Sequence, residues 1–164
     1  MDPRGYVALV LHTHLPFVRH PEHDSFLEER WLYEAITETY VPLLERFERL
    51  ANDQVPFRIT MSFTPTLLAM LGDGLLQARY LRHLEKLIEL SEKEIERTRW
   101  MPQFNRLALF YHHRLTNARA LYVNVYRRNL IAPFRELSER GFLEPIASGA
   151  THGFLPLMGE QPLA

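Results

Sequence analysis

Three histidines carry the first chemical signal in this sequence. His12 and His14 stand in a His-Thr-His triplet at the end of an apolar run, Tyr6 to Leu11. In a strand, residues i and i+2 share a face, so both imidazoles project into one pocket. Parallel α/β sheets and barrels bind their ligands beyond the carboxyl ends of strands. His152 follows a later apolar segment and is flanked by Gly149 and Gly153, so it holds the same kind of strand-end position. Two chemistries suit such a trio. It can bind a metal ion, as His commonly does in hydrolases, or it can hydrogen-bond a polyhydroxylated ligand. The plain alternative is an incidental pair at a strand end and a solvated loop histidine.

Carboxylates and aromatics give weaker signals. Glu28, Glu29, Trp31, Glu34 and Glu38 surround the first helical segment. Glu34 and Glu38 are four apart and share a helix face. Paired carboxylates can do acid–base work, but a solvated helix face accounts for them as well. Trp31 suits either stacking on a sugar ring or anchoring a core. His83, His112 and His113 lie in helical segments without an evident partner and are read as structural. The mixed-sign run from Ser91 to Arg99 reads as an exposed helix face. Arg127-Arg128 is too short for a nucleic-acid footprint.

The elements that must position these residues alternate between strand and helix. Tyr6 to Leu11 is apolar on both faces, as a buried parallel strand is. Residues 17–27 read as a loop. A helix is expected over 28–50, broken or kinked at Pro42. A second strand covers 57–63, with Ile59, Met61 and Phe63 alternating against Arg58, Thr60 and Ser62. Thr64-Pro65 then opens a helix, with Thr64 as N-cap, and Gly72-Asp73-Gly74 closes it. Two long helices follow. Leu76, Tyr80, Leu84, Leu87, Ile88 and Ile95 mark the first, and Leu107, Tyr111, Leu115, Ala118, Tyr122 and Val125 mark the second. The latter runs on toward Leu137 with a kink or an end at Pro133. A third strand begins near Leu143. Strand–helix–strand order predicts an α/β fold with a parallel sheet.

Composition narrows the function classes. The 164 residues are 46% hydrophobic and 24% charged, which excludes a disordered or low-complexity chain. Lys plus Arg is 19 against 20 for Asp plus Glu, so no basic excess points to nucleic acid. Absence of Cys removes disulfides, thiolate nucleophiles and Cys-based zinc sites. No run approaches the ~20 apolar residues of a membrane span, and no signal peptide is recognisable. A cytoplasmic location is expected. Three parallel strands cannot close a barrel and leave open edges. The expectation is therefore the N-terminal part of a larger domain, with a complete small α/β domain as the rival.

The segment from Gly5 to Arg19, centred on His12-Thr13-His14-Leu15-Pro16, resembles the first conserved region of glycoside hydrolase family 57. Its His-Thr-His-Leu-Pro is similar to the 1,4-α-glucan branching subgroup. Trp31 to Leu44 and Phe63 to Leu67 are similar to that subgroup too, and Ala150 to Leu157 resembles the family's second conserved region. The resemblance implies a (β/α)7 barrel, of which residues 1–164 form the N-terminal portion. Its strands are expected near 6–12, 57–63 and 143–148, with a helical insertion over about 75–137. It implies an α-glucan substrate of the amylose or glycogen kind, no cofactor and no metal. His12, His14 and His152 match positions that hydrogen-bond glucose hydroxyls, and Trp31 matches an aromatic near the acceptor groove. The implied reaction is retaining, with a Glu nucleophile and an Asp acid/base about 5–5.5 Å apart. Those two carboxylates belong to the third and fourth conserved regions, downstream of the second. Glu160 is not assigned the role, so the isolated chain is expected to be inactive. A metal-dependent deacetylase-like or amidohydrolase-like hydrolase using the three histidines, and a non-catalytic carbohydrate-binding fragment, are the alternatives. Nothing in the sequence speaks to oligomeric state.

Overall fold

A computed structural model describes residues 5–150 and 152–159. Three strands, β1 (Val10–Thr13), β2 (Ile59–Phe63) and β3 (Leu143–Ile146), form one parallel sheet in the order β1-β2-β3. The predicted α/β class with helical crossovers is the observed one. Both connections step the same way across the sheet, so right-handed crossovers bring their helices to one face. On that face Leu11, Thr13, Ile59, Met61 and Leu143 meet the core. Register aligns Val10 with Thr60 and Glu144, and His12 with Ser62 and Ile146, on the opposite face.

All three strands are shorter than the sequence predicts. Residues 6–9 stand outside β1, and Tyr6 and Val7 are exposed instead of buried. The reason is pairing: β2 starts only at Ile59, and the ladder begins where the Thr60 N–H donates to the Leu9 carbonyl (3.2 Å). Phe57, predicted to open β2, stacks between Phe47 and Phe142. β3 stops at Ile146 because its partner β2 turns into a helix cap at Thr64. Pro145, which has no N–H to give a ladder, is tolerated because β3 has a strand on one side only.

The helix predicted over 28–50 is three pieces. It runs as α1 (Glu29–Ala35), a π-helical turn at Ile36–Tyr40, and α2 (Val41–Asn52). Pro42 lacks the N–H that would continue the ladder, and the wider turn absorbs the defect just before it. α3 (Pro65–Gly72) and α4 (Gly74–Arg97) start where the sequence places them. Thr64 Oγ1 accepts from the Leu67 N–H (3.3 Å), and Asp73 Oδ1 from the Leu76 N–H (2.9 Å).

α5 (Pro102–Ala120) continues into a second π-helical turn at Leu121–Val125, and the chain then breaks before Pro133 rather than at it. Arg127 and Arg128 take left-handed φ values of 50° and 65°. Asn129 Oδ1 then accepts from the Ile131 and Ala132 N–H groups and starts α6 (Ile131–Glu139). Pro133 sits harmlessly in that first turn, where an N–H has no helical partner to lose.

The core joins α1, α2, α3 and α4 to the sheet through Leu32, Leu44, Met61, Leu67, Leu76, Tyr80 and Leu84, all at most 1% exposed. Of the predicted apolar stripe on α5 and the turn after it, only the middle is buried, and Val125 at its end is exposed. Ala118 and Tyr122 enter the core, Leu115 is partly buried against it, and Leu107 and Tyr111 are exposed beside α4.

Candidate functional site

The histidines separated in sequence meet at the carboxyl end of the sheet. Ring centroids of His12 and His14 lie 6.2 Å apart, His12 and His152 5.1 Å, and His14 and His152 3.9 Å. His12 is the third residue of β1, on the face away from the helices, and His14 follows the strand's last residue. His152 reaches them from the segment after β3. Its backbone adopts φ 60°, and its N–H donates to the Gly149 carbonyl (2.9 Å). His is among the few non-glycine types that accept this left-handed conformation. The turn is what brings the ring back over the sheet.

Each ring is held through Nδ1 by a hydroxyl that the sequence reading treated only as strand or cap material. Ser62 Oγ contacts His12 Nδ1 (3.1 Å), and Thr64 Oγ1 contacts His14 Nδ1 (3.3 Å). Ser148 Oγ reaches His152 Nδ1 at 3.4 Å. The signal that could have found the first is the parallel register of His12 against Ser62.

Hydrogen counting assigns the neutral tautomers of two of the rings. Ser62 Oγ accepts from the Thr13 N–H (3.0 Å) and keeps both a second lone pair and its own hydrogen for His12 Nδ1, so either His12 tautomer fits. Around His14 the order is fixed. Thr66 donates to the Leu15 carbonyl (3.3 Å), so Thr64 donates to Thr66 (3.1 Å) and His14 Nδ1–H donates to Thr64. Likewise Ser148 donates to the Gly149 carbonyl (3.2 Å), so His152 Nδ1–H donates to Ser148. In their neutral forms His14 and His152 thus each leave Nε2 as an acceptor. Burial, and after it the neighbouring His152 and His12 rings, hold His14 below the ordinary imidazole pKa.

Among the described residues, no group of three or more His, Asp or Glu side chains is arranged to hold a metal ion. His14 and His152 are stacked at an interplanar angle of 19°, face against face instead of edge to edge around a common point. Trp31 is half-exposed on α1 and makes no ring contact with the three histidines. Glu34 and Glu38 are solvent-exposed, as a plain helix face predicts. Glu160 and Thr151 lie outside the described residues.

The sequence model of glycosyl hydrolase family 57 matches residues 8–162, and so takes in the whole histidine cluster. The chain belongs to glycosyl hydrolase family 57. A 1,4-alpha-glucan branching enzyme from Thermococcus kodakarensis is 36% identical over 156 residues, covering 95% of this chain and 22% of that enzyme. The solved structure of that Thermococcus enzyme, in complex with glucose and additives, superposes with a TM-score of 0.86 at 34% identity. It is matched over 95% of this chain and 28% of its own length. The crystal structure of the alpha-amylase AmyC from Thermotoga maritima gives a TM-score of 0.88 at 47% identity, over 94% of this chain and 29% of that one. This family 57 chain therefore spans between a fifth and a third of the length of these relatives. No helix among its described residues is long and apolar enough to cross a membrane.

Proposed function

We propose that this chain is the N-terminal part of a retaining α-glucan-active enzyme of the branching type, and that His12, His14 and His152 hold one glucose unit of the substrate. The meeting of three imidazoles at the carboxyl end of the sheet, with ring centroids 3.9 to 6.2 Å apart, carries this reading. A sugar hydroxyl both donates and accepts, so it pairs with the outward ring nitrogen of an imidazole in either tautomer. A metal ion would need lone pairs converging on one point, which a stacked His14–His152 pair does not offer. The glucose complex of the Thermococcus relative supports a sugar as the ligand. Trp31 is assigned to the acceptor side, where its exposed indole can stack on a sugar ring.

In this reading residues 1–164 are the first strands of a (β/α)7 barrel, with α4–α6 as a helical insertion over about 75–137. The nucleophilic Glu and acid/base Asp belong to family regions that follow the His152 segment. None of the carboxylates here is given that work, so these 164 residues alone are expected to bind glucan without turning it over. The setting is cytoplasmic glucan metabolism. A hydrolytic outcome is the second reading, favoured by the 47% identity to a protein named an alpha-amylase.

Affinity electrophoresis in gels containing amylose tests the ligand. Retardation of the chain, lost in His12→Ala and His14→Ala, is the expected result. Stoichiometric bound zinc, lost with His14→Ala, would overturn it in favour of a metal-dependent hydrolase. Turnover of amylose by the 164-residue chain, abolished by His152→Ala, would overturn the division of labour.

A further inference from the structure

A second concave site lies between α1, α4 and the loop that precedes α1. Its cavity of about 430 Å³ is lined by Arg30 of α1 and by Arg79, Arg82, His83 and Lys86 of α4. Spacings of three and four residues put the α4 group on one helix face. Across from it, Phe26 stacks on His20 with centroids 3.7 Å apart and on His23 at 5.3 Å, giving the cavity an aromatic wall.

The charge of this cavity is not balanced. Four cationic side chains line it against two carboxylates, Asp24 and Glu29. Glu29 is already engaged by Arg79 and by the Tyr33 hydroxyl (2.7 Å). Arg30, Arg82 and Lys86 take part in no ion pair among the described residues. Further along α4, Lys93 and Arg97 pair with Glu89 and Glu94. Burial first, then Arg30 and Lys86, lower the pKa of His83, with Glu34 pulling the other way.

The second observation is Arg79 itself. Its side chain is only 6% exposed, and it bonds Glu29 and the carbonyls of His20 (3.0 Å) and His23. Its Nε is nevertheless buried without a partner among the described residues. A buried donor without an acceptor is costly, so Arg79 is held through its other guanidinium nitrogens as the fixed floor between Glu29 and the loop before α1.

We propose that this cavity binds a phosphomonoester. An excess of two positive charges matches a phosphate dianion. Guanidinium forks from Arg30 and Arg82 grip its planar oxygen pairs, and Lys86 adds a point charge. Phe26 supplies a surface for whatever ring carries the phosphate. The site shares no residue with the histidine cluster and does not depend on the glucan-binding reading.

Calorimetric titration of the 164-residue chain at low salt is the test, with inorganic phosphate, a hexose monophosphate and AMP as separate probes. Binding of at least one probe is expected. Arg82→Ala/Lys86→Ala should weaken it about tenfold or more, the loss of one charge-assisted hydrogen bond or more. Both side chains are exposed, so the thermal melt of that double variant should match the parent's. Equal affinity for all three probes shows that the site reads the phosphoryl group of the ester and not the group it is attached to. Tighter binding of the hexose monophosphate or AMP identifies the organic ester. Absence of binding by any probe, or binding that the double variant leaves unchanged, overturns the proposal.

Discussion

The imidazoles of His14 and His152 stack with centroids 3.9 Å apart and planes 19° from parallel, although they come from opposite ends of the chain. Stacking desolvates a ring and places a second titratable group against it, and both effects oppose protonation. His14 should accordingly titrate below a free histidine, with burial the larger cause. Replacing His152 with Ala should raise the His14 value only part of the way. With its folded value lowered, the unfolded chain takes up this proton first as pH falls. The stability it carries is full above about pH 6.5 and is lost as pH drops toward the folded value. Proton NMR of the imidazole C–H signals over pH 4 to 8 checks the order of titration, and His14→Gln should flatten that part of the stability–pH curve.

The hydroxyl network sets the tautomers of two rings. Nitrogen-15 chemical shifts at a pH where the rings are neutral should place the protons of His14 and His152 on Nδ1. Ser62→Ala removes the hydroxyl at His12 Nδ1 and should shift the His12 nitrogen signals, leaving those of His14 unchanged. Finding the His14 proton on Nε2 in the parent would contradict the network through Thr64 and Thr66.

Much of this arrangement was legible in the sequence because strand geometry is short-range. His12 and His14 share a face by period alone, Thr64-Pro65 announces its helix by capping chemistry, and the parallel direction of the strands follows from the alternation of elements. What was not legible depends on partners distant in the chain. The start of β1 is fixed by where β2 begins, so the apolar run at Tyr6 and Val7 says nothing of it. The break after α5 comes from left-handed Arg127 and Arg128, residue types that do not advertise it, while the conspicuous Pro133 is innocent. Glu29, grouped by sequence with the solvated glutamates, is 1% exposed. No pattern local to α1 names Arg79 as its partner fifty residues away.

That buried pair has a measurable consequence. Arg79 bridges Glu29 to the carbonyls of His20 and His23 and so ties the loop before α1 to α4. Glu29→Ala strands a buried guanidinium, and breaking a buried pair in this way costs about 3–5 kcal/mol. Glu29→Gln keeps a hydrogen-bonding oxygen and should cost less. Urea melts of both variants check the order. A Glu29→Ala midpoint equal to the parent's would mean that the pair contributes nothing net.

Asp73 gives the acid-side counterpart. Burial pushes its carboxyl upward, but the Leu76 N–H and the Arg19 guanidinium at 2.7 Å outweigh that and hold its pKa below the ordinary value. A depressed carboxylate stabilises the fold above its unfolded value, near pH 3.9, and the contribution disappears as pH falls through the folded value. Asp73→Asn separates its two roles. Asn caps helices as well as Asp does, so the start of α4 should survive, while the Arg19 contact loses its charge. At neutral pH the variant should lose no more than about 1 kcal/mol, the scale of a partly exposed ion pair. As pH falls from about 3.9 through the depressed folded value, the two curves should converge. Guanidinium chloride is unsuitable for this comparison because it screens the pair; urea melts between pH 3 and 7 resolve it. Parallel curves over that range would show that Asp73 acts only as a cap.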